Sequence, residues 1–112
     1  GFSQGGAVTL AAGLARTEPL AGLIALSTYL PGLGGADAPQ ATAAARAQPV
    51  FMAHGTGDPV VPVFAGQASA QALQADGMRG EGRASPMAHQ VCAEEIRDLA
   101  NWMQARFSPA AE

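Results

Sequence analysis

Gly1-Phe2-Ser3-Gln4-Gly5-Gly6 constrains this chain more than any other segment. The pattern Gly-x-Ser-x-Gly holds a serine on a sharp turn between a strand and a helix. Glycines on both sides admit close backbone packing where a Cβ would collide. The serine Oγ then stands clear at the carboxyl end of a sheet. A helix must follow, and Gln4–Arg16 supplies one. It is rich in Ala and Leu, and Ala7, Leu10, Ala11 and Leu14 recur at helical spacing. The motif is short, and a glycine-rich helix start capped by Ser3 is the competing reading. Because the motif opens the sequence, the strand feeding the turn is expected to lie outside it.

The rest of the chain alternates helical and strand-like segments. Gly22–Ser27 is a short apolar run, as suits a strand buried on both faces of a parallel sheet. Residues 28–39 hold Pro31, Gly32, Gly34 and Gly35 and read as an irregular loop. A short helix is expected over Ala41–Ala47, and a second buried strand over Pro49–His54. After a loop at 55–62, Val63–Asp76 reads as a helix with Phe64, Ala68 and Leu73 inward and Gly77 as its C′ residue. Met78–Ala84 takes the next strand slot with a sequence poor in strand formers. A loop at 85–90 leads to a last helix, Val91–Phe107. Its apolar stripe is Ile96, Leu99, Trp102, Met103 and Phe107. Residues 108–112 read as a frayed tail. This order predicts an α/β fold with parallel strands and right-handed crossovers, in one domain spanning residues 1–112.

Bulk properties exclude several partners. Charged residues are 13% of the 112 and the net charge is −3, with no basic stripe to bind nucleic acid. No apolar run reaches the ~18 residues of a membrane span. The single Cys92 forbids an internal disulfide and any multi-cysteine zinc cluster, which fits a reducing, cytoplasmic setting.

In α/β folds, functional groups collect at the carboxyl ends of strands. That rule selects three loops, carrying Ser3, Asp58 and His89. Acyl transfer by serine needs a base to take the Oγ proton, a carboxylate to orient the base, and backbone donors for the oxyanion. The chain order Ser, acid, His is that of α/β-hydrolases. Asp58 lies in His54-Gly55-Thr56-Gly57-Asp58-Pro59-Val60-Val61-Pro62, where a turn or cap role is the alternative. Asp37, Asp76, Glu94, Glu95 and Asp98 are weaker carboxylates by position. Of the two histidines, His54 ends a strand and suits a hydrogen-bonded structural role. His89 lies in a loop before a helix, where a base is expected. Cys92 reads as a small, half-buried helix residue.

Taken together, these segments resemble the phospholipase/carboxylesterase family of α/β-hydrolases, as do Leu26-Ser27-Thr28-Tyr29-Leu30, Pro86-Met87-Ala88-His89 and Glu94–Leu99 with Trp102. The resemblance implies Ser3 as nucleophile, Asp58 as acid, His89 as base and the Gln4 backbone N–H as an oxyanion donor. It implies hydrolysis of small or acyl-chain esters or thioesters, with no metal or organic cofactor. It also implies that the chain is the C-terminal half of such a domain. The first half of the sheet and the loop with the second oxyanion donor would then lie outside it. Arg79–Ser85 carries two glycines where the family has bulky strand residues, which predicts a weak strand and a loosened His89 loop. Ala88 stands where the family has glycine and would be strained at positive φ. Carboxylesterase activity is the first expectation and thioesterase or lysophospholipase activity the second. A non-catalytic remnant of marginal stability is the third.

Overall fold

The computed structural model describes residues 1–32 and 40–107. Asp37, the later part of the 28–39 loop and the 108–112 tail lie outside the described residues. The elements are α1 (Gln4–Leu14), β1 (Leu23–Leu26), α2 (Ala43–Arg46), β2 (Pro49–Gly55), α3 (Val63–Ala75), β3 (Arg79–Ser85) and α4 (Ala93–Phe107). Order and type agree with the sequence reading. Several ends move by one or two residues, and α4 begins after Cys92 rather than before it.

The three strands pair in the order β1-β2-β3, all parallel. Alternation along them builds two cores. Leu23, Ala25, Val50 and Met52 point to one face and pack with Leu10, Leu14, Leu73 and Met78 from α1, α3 and the turn after α3. Ile24, Leu26, Phe51 and Ala53 point to the other, against Leu99, Trp102 and Met103 of α4. The result is a three-layer α/β/α arrangement.

The sequence pattern misplaces two helix faces. On α3 the buried residues are Gly66, Ser69 and Leu73, while Phe64 is 69% exposed and Ala68 is also exposed. Phe64 and Ala68 each lie two residues, or about 200°, from Gly66 and so face away. Gly66 sets this phase, because it abuts the imidazole of His54. On α4 the inward row is Glu95, Leu99, Trp102 and Met103, which leaves Ile96 and Phe107 exposed. The α3 terminus is as expected. Gly77 takes φ 87°, its N–H donates to Gln74 O, and the Met78 N–H donates to Leu73 O. That double bond pattern is a Schellman cap, with the buried side chains of Leu73 and Met78 closing it.

β3 forms in spite of its glycines. Its backbone runs in register with β2 from Arg79 opposite Pro49 to Ser85 opposite Gly55. What the glycines remove is packing. On the face toward α3 the strand presents only Gly80, Gly82 and Ala84, and Arg79–Ala84 are all exposed. Two cavities, ≈ 180 Å³ and ≈ 250 Å³, lie between α3 and this strand and share Met52, Ala70 and Gly82 in their walls.

Glu95 is fully buried, and neither carboxyl oxygen has a hydrogen-bond partner among the described residues. Burial, reinforced by the charge of Asp98 one turn on, raises its pKa to about 7.

Two outcomes follow. A Cβ at Gly82 would meet nothing within 4 Å. Gly82→Val should therefore gain about 1 kcal/mol and raise Tm by about 4 °C, measured by thermal unfolding. Glu95 binds its proton more tightly folded than unfolded, so its contribution is fully present below about pH 4.5 and lost as pH rises through about 7. Glu95→Gln should leave stability at pH 4 close to the parent's and exceed it at pH 8, measured by urea denaturation at both pH values.

Candidate active site

Ser3 sits on a turn held from both sides. Its N–H donates to Leu26 O at 2.9 Å, and the Leu26 N–H donates to Gly1 O at 2.9 Å. Phe2 and Leu26 form a parallel bridge. Phe2 thus meets the end of β1 in a single bridge, and no strand precedes α1 among the described residues. At Ser3 the backbone turns into α1 with φ 55° and ψ −123°. A non-glycine residue there stores about 1–3 kcal/mol of strain. Ser3 makes no side-chain capping bond, which removes the helix-cap reading. The two flanking glycines are not equivalent. A Cβ on Gly1 would collide with the Gly5 carbonyl, whereas one on Gly5 would meet nothing within 4 Å.

Asp58 divides its two oxygens between two tasks. Oδ1 accepts the N–H groups of Val60 at 2.8 Å and Val61 at 2.9 Å. Oδ2 lies 2.7 Å from His89 Nδ1. The turn reading and the partner reading of this residue therefore hold together. Burial alone would raise its pKa. The His89 hydrogen bond, the Val61 and Val60 amides and the nearby imidazole charge outweigh that and hold it below the ordinary carboxylate value.

His89 closes the chain of bonds. With its proton on Nδ1 and given to Asp58, Nε2 is left to accept from Ser3 Oγ at 2.8 Å. The ring of Phe2 lies against the imidazole, with centroids 4.8 Å apart. Backbone bonds hold the His89 loop. The Thr56 N–H donates to Ser85 O at 2.9 Å and the Gly57 N–H to Met87 O at 3.1 Å. Those bonds tie it directly to the Asp58 loop. Gly55 permits the approach, since a Cβ there would run into the carbonyls of Met87 and Ala88. Positive φ outside glycine occurs only at Ser3 and Ser27 among the described residues, so Ala88 carries no such strain.

His54 is buried and gives its Nε2–H to Val61 O at 2.7 Å, 3.5 Å from Asp58 Oδ2. It braces the turn that holds Asp58. Cys92 is a free, half-buried cysteine ahead of α4. The Gln4 N–H, at the first helical position, has no intrahelical acceptor and lies next to Ser3. Among the described residues, no cluster of three or more His, Cys, Asp or Glu could hold a metal ion, and no helix is long and apolar enough to cross a membrane.

Two residues were missed. Ser27 and Thr28 follow β1 directly and are fully buried. The Ser27 N–H donates to Ala53 O at 2.8 Å, and its hydroxyl stands 3.5 Å from Gln90 O, beside His89. Thr28 Oγ1 donates to Ser3 O at 2.5 Å. The carboxyl-end rule points to this loop after β1 as much as to the other three.

Proton-relay geometry of this kind can activate a serine hydroxyl for attack on a carbonyl. Known proteins with similar chains bear names of that class. An acyl-protein thioesterase 1 from Mycosarcoma maydis is 42% identical over 109 residues, covering 93% of this chain and 45% of that protein. A probable carboxylesterase from Oryza sativa subsp. japonica is 36% identical, covering 100% of this chain and 42% of its own length. The crystal structure of Arabidopsis thaliana SOBER1 superposes with a TM-score of 0.83 at 30% identity, over 96% of this chain and 51% of that one. The chain spans about half the length of the relatives it matches. The phospholipase/carboxylesterase family model matches residues 1–106, and the chain belongs to that family.

Proposed function

We propose that these residues carry the reacting groups of a serine carboxylesterase. One observation supports it above the others: the unbroken bonds from Asp58 to His89 to Ser3, with Ser3 on a strained turn at the head of a helix. Ser3 Oγ attacks the ester carbonyl carbon as His89 Nε2 takes its proton. Asp58 holds the imidazole and balances its charge. The Gln4 N–H donates to the oxyanion. Collapse of the tetrahedral intermediate expels the alcohol, which receives the proton from His89, and leaves an acyl-Ser3 ester. A water molecule then repeats the sequence, loses its proton to His89, and releases the acid and free Ser3. The cycle balances with these residues and water, without metal or organic cofactor.

The same groups would cleave a thioester, with a thiol as leaving group. The relatives named as acyl-protein thioesterases favour this second reading. The substrate is in either case a small-molecule or acyl-chain ester or thioester. Because the relatives are about twice as long, we read the chain as the C-terminal half of one such domain, a second oxyanion donor coming from the other half. The lone Cys92 supports a cytoplasmic setting.

Ser3→Ala should abolish hydrolysis of short p-nitrophenyl esters, by roughly 10⁶ in kcat, and abolish labelling by a fluorophosphonate probe. Turnover unchanged in Ser3→Ala would sink the assignment. Rates on paired oxygen esters and thioesters of one acyl chain decide between the two readings. A kcat/KM more than tenfold higher on the thioester would make thioesterase the correct name.

A further inference from the structure

We infer that Thr28 is a positioning residue for the oxyanion donor, acting through the peptide bond between Ser3 and Gln4. This rests on the serine hydrolase reading and extends it to a residue outside the Asp58–His89–Ser3 chain. Thr28 is 1% exposed, and its hydroxyl donates to the Ser3 carbonyl at 2.5 Å. The same carbonyl accepts the Ala7 N–H at 3.1 Å as the first hydrogen bond of α1. Both donors pull electron density toward the oxygen of the peptide group whose nitrogen belongs to Gln4. A carbonyl that accepts hydrogen bonds makes the N–H of its own peptide a stronger donor, because the bonds polarise one another. Thr28 thus feeds the Gln4 N–H from the opposite end of one amide.

The placement also fixes where that N–H points. Ser3 holds a positive φ, so the Ser3–Gln4 peptide plane needs an external anchor. Thr28 supplies one from a separate strand end, and its methyl group fills the space over Gly6. A Cβ on Gly6 would lie 2.7 Å from Thr28 Cγ2. Glycine at position 6 therefore makes room for Thr28. This is a reason for the second glycine of the Gly5-Gly6 pair that the serine motif alone does not give.

Thr28→Val keeps the shape and removes the donor, whereas Thr28→Ser keeps the donor and trims the methyl. On p-nitrophenyl esters, Thr28→Val should lower kcat about fivefold with KM unchanged, and Thr28→Ser should stay within twofold of the parent. Affinity for a boronic acid that mimics the tetrahedral intermediate should fall by the same factor in Thr28→Val. A purely structural role would instead lower Tm in both variants and reduce the titratable fraction of Ser3 while leaving the rate per active site intact. That result overturns the inference. NMR on the isotope-labelled chain decides the matter independently of turnover. Thr28→Val should shift the Ser3 carbonyl carbon and the Gln4 amide nitrogen, and Thr28→Ser should leave both near their parent positions. Unmoved resonances in Thr28→Val overturn the inference even if the enzyme is active. A parent that neither turns over ester nor labels at Ser3 defeats the hydrolase reading, and the two shifts still decide whether Thr28 polarises this peptide.

Discussion

Parallel pairing on both edges of β2 underlies everything else in this molecule. A parallel ladder brings all strand ends of one polarity to a common edge. Here that edge carries Ser3, Ser27, Asp58 and the approach to His89. β2 bonds β1 on one side and β3 on the other, so its exit at Gly55 fixes where the neighbouring loops can stand. Alternation along it supplies Val50 and Met52 to one core and Phe51 and Ala53 to the other. Seven residues thereby order two layers of helices and one row of functional groups.

The site combines a strained element with elements that hold it. Ser3 and Ser27 both take positive φ, and they are neighbours across the Ser3–Leu26 hydrogen bond. Each is secured by a backbone bond to a strand, Ser3 to Leu26 of β1 and Ser27 to Ala53 of β2. The imidazole of His89 is fixed on three sides, by Asp58, by Ser3 and by the ring of Phe2. Asp58 in turn is fixed by two amides of its own loop, which His54 braces through Val61. The unfavourable backbone conformations at the site are those of Ser3 and Ser27.

Much of this was legible in the sequence. Apolar runs between punctuating Gly and Pro gave β1 and β2, the alternation of elements gave the slot of β3, and Gly77 gave the end of α3. Ser3, Asp58 and His89 were read as one group because each follows a strand slot in the order acyl transfer requires, and the structure joins them by hydrogen bonds. Helix facing was less legible. Phe64 and Ile96 are large and apolar, so a pattern reading turns them inward. Contact between Gly66 and His54, and the burial of Glu95, set the true phases, and neither is visible from hydrophobicity. Thr28 was missed because its contact with the Ser3 turn is a single hydroxyl-to-carbonyl bond across 25 positions of sequence.

β3 has a consequence for how such a domain can change. Its side chains contribute little to either core, and the Asp58 loop is bonded through the backbone to the end of β3 at Thr56–Ser85 and to the His89 loop at Gly57–Met87. The outer strand behaves as a tether rather than a beam: it must reach, but it need not bear load. Side chains on it can therefore drift, and even be lost to glycine, without detuning the hydrogen-bonded pair that it delivers. A strand with few packed side chains and the hydrogen-bonded pair at the site thus lie a few residues apart, joined through the backbone.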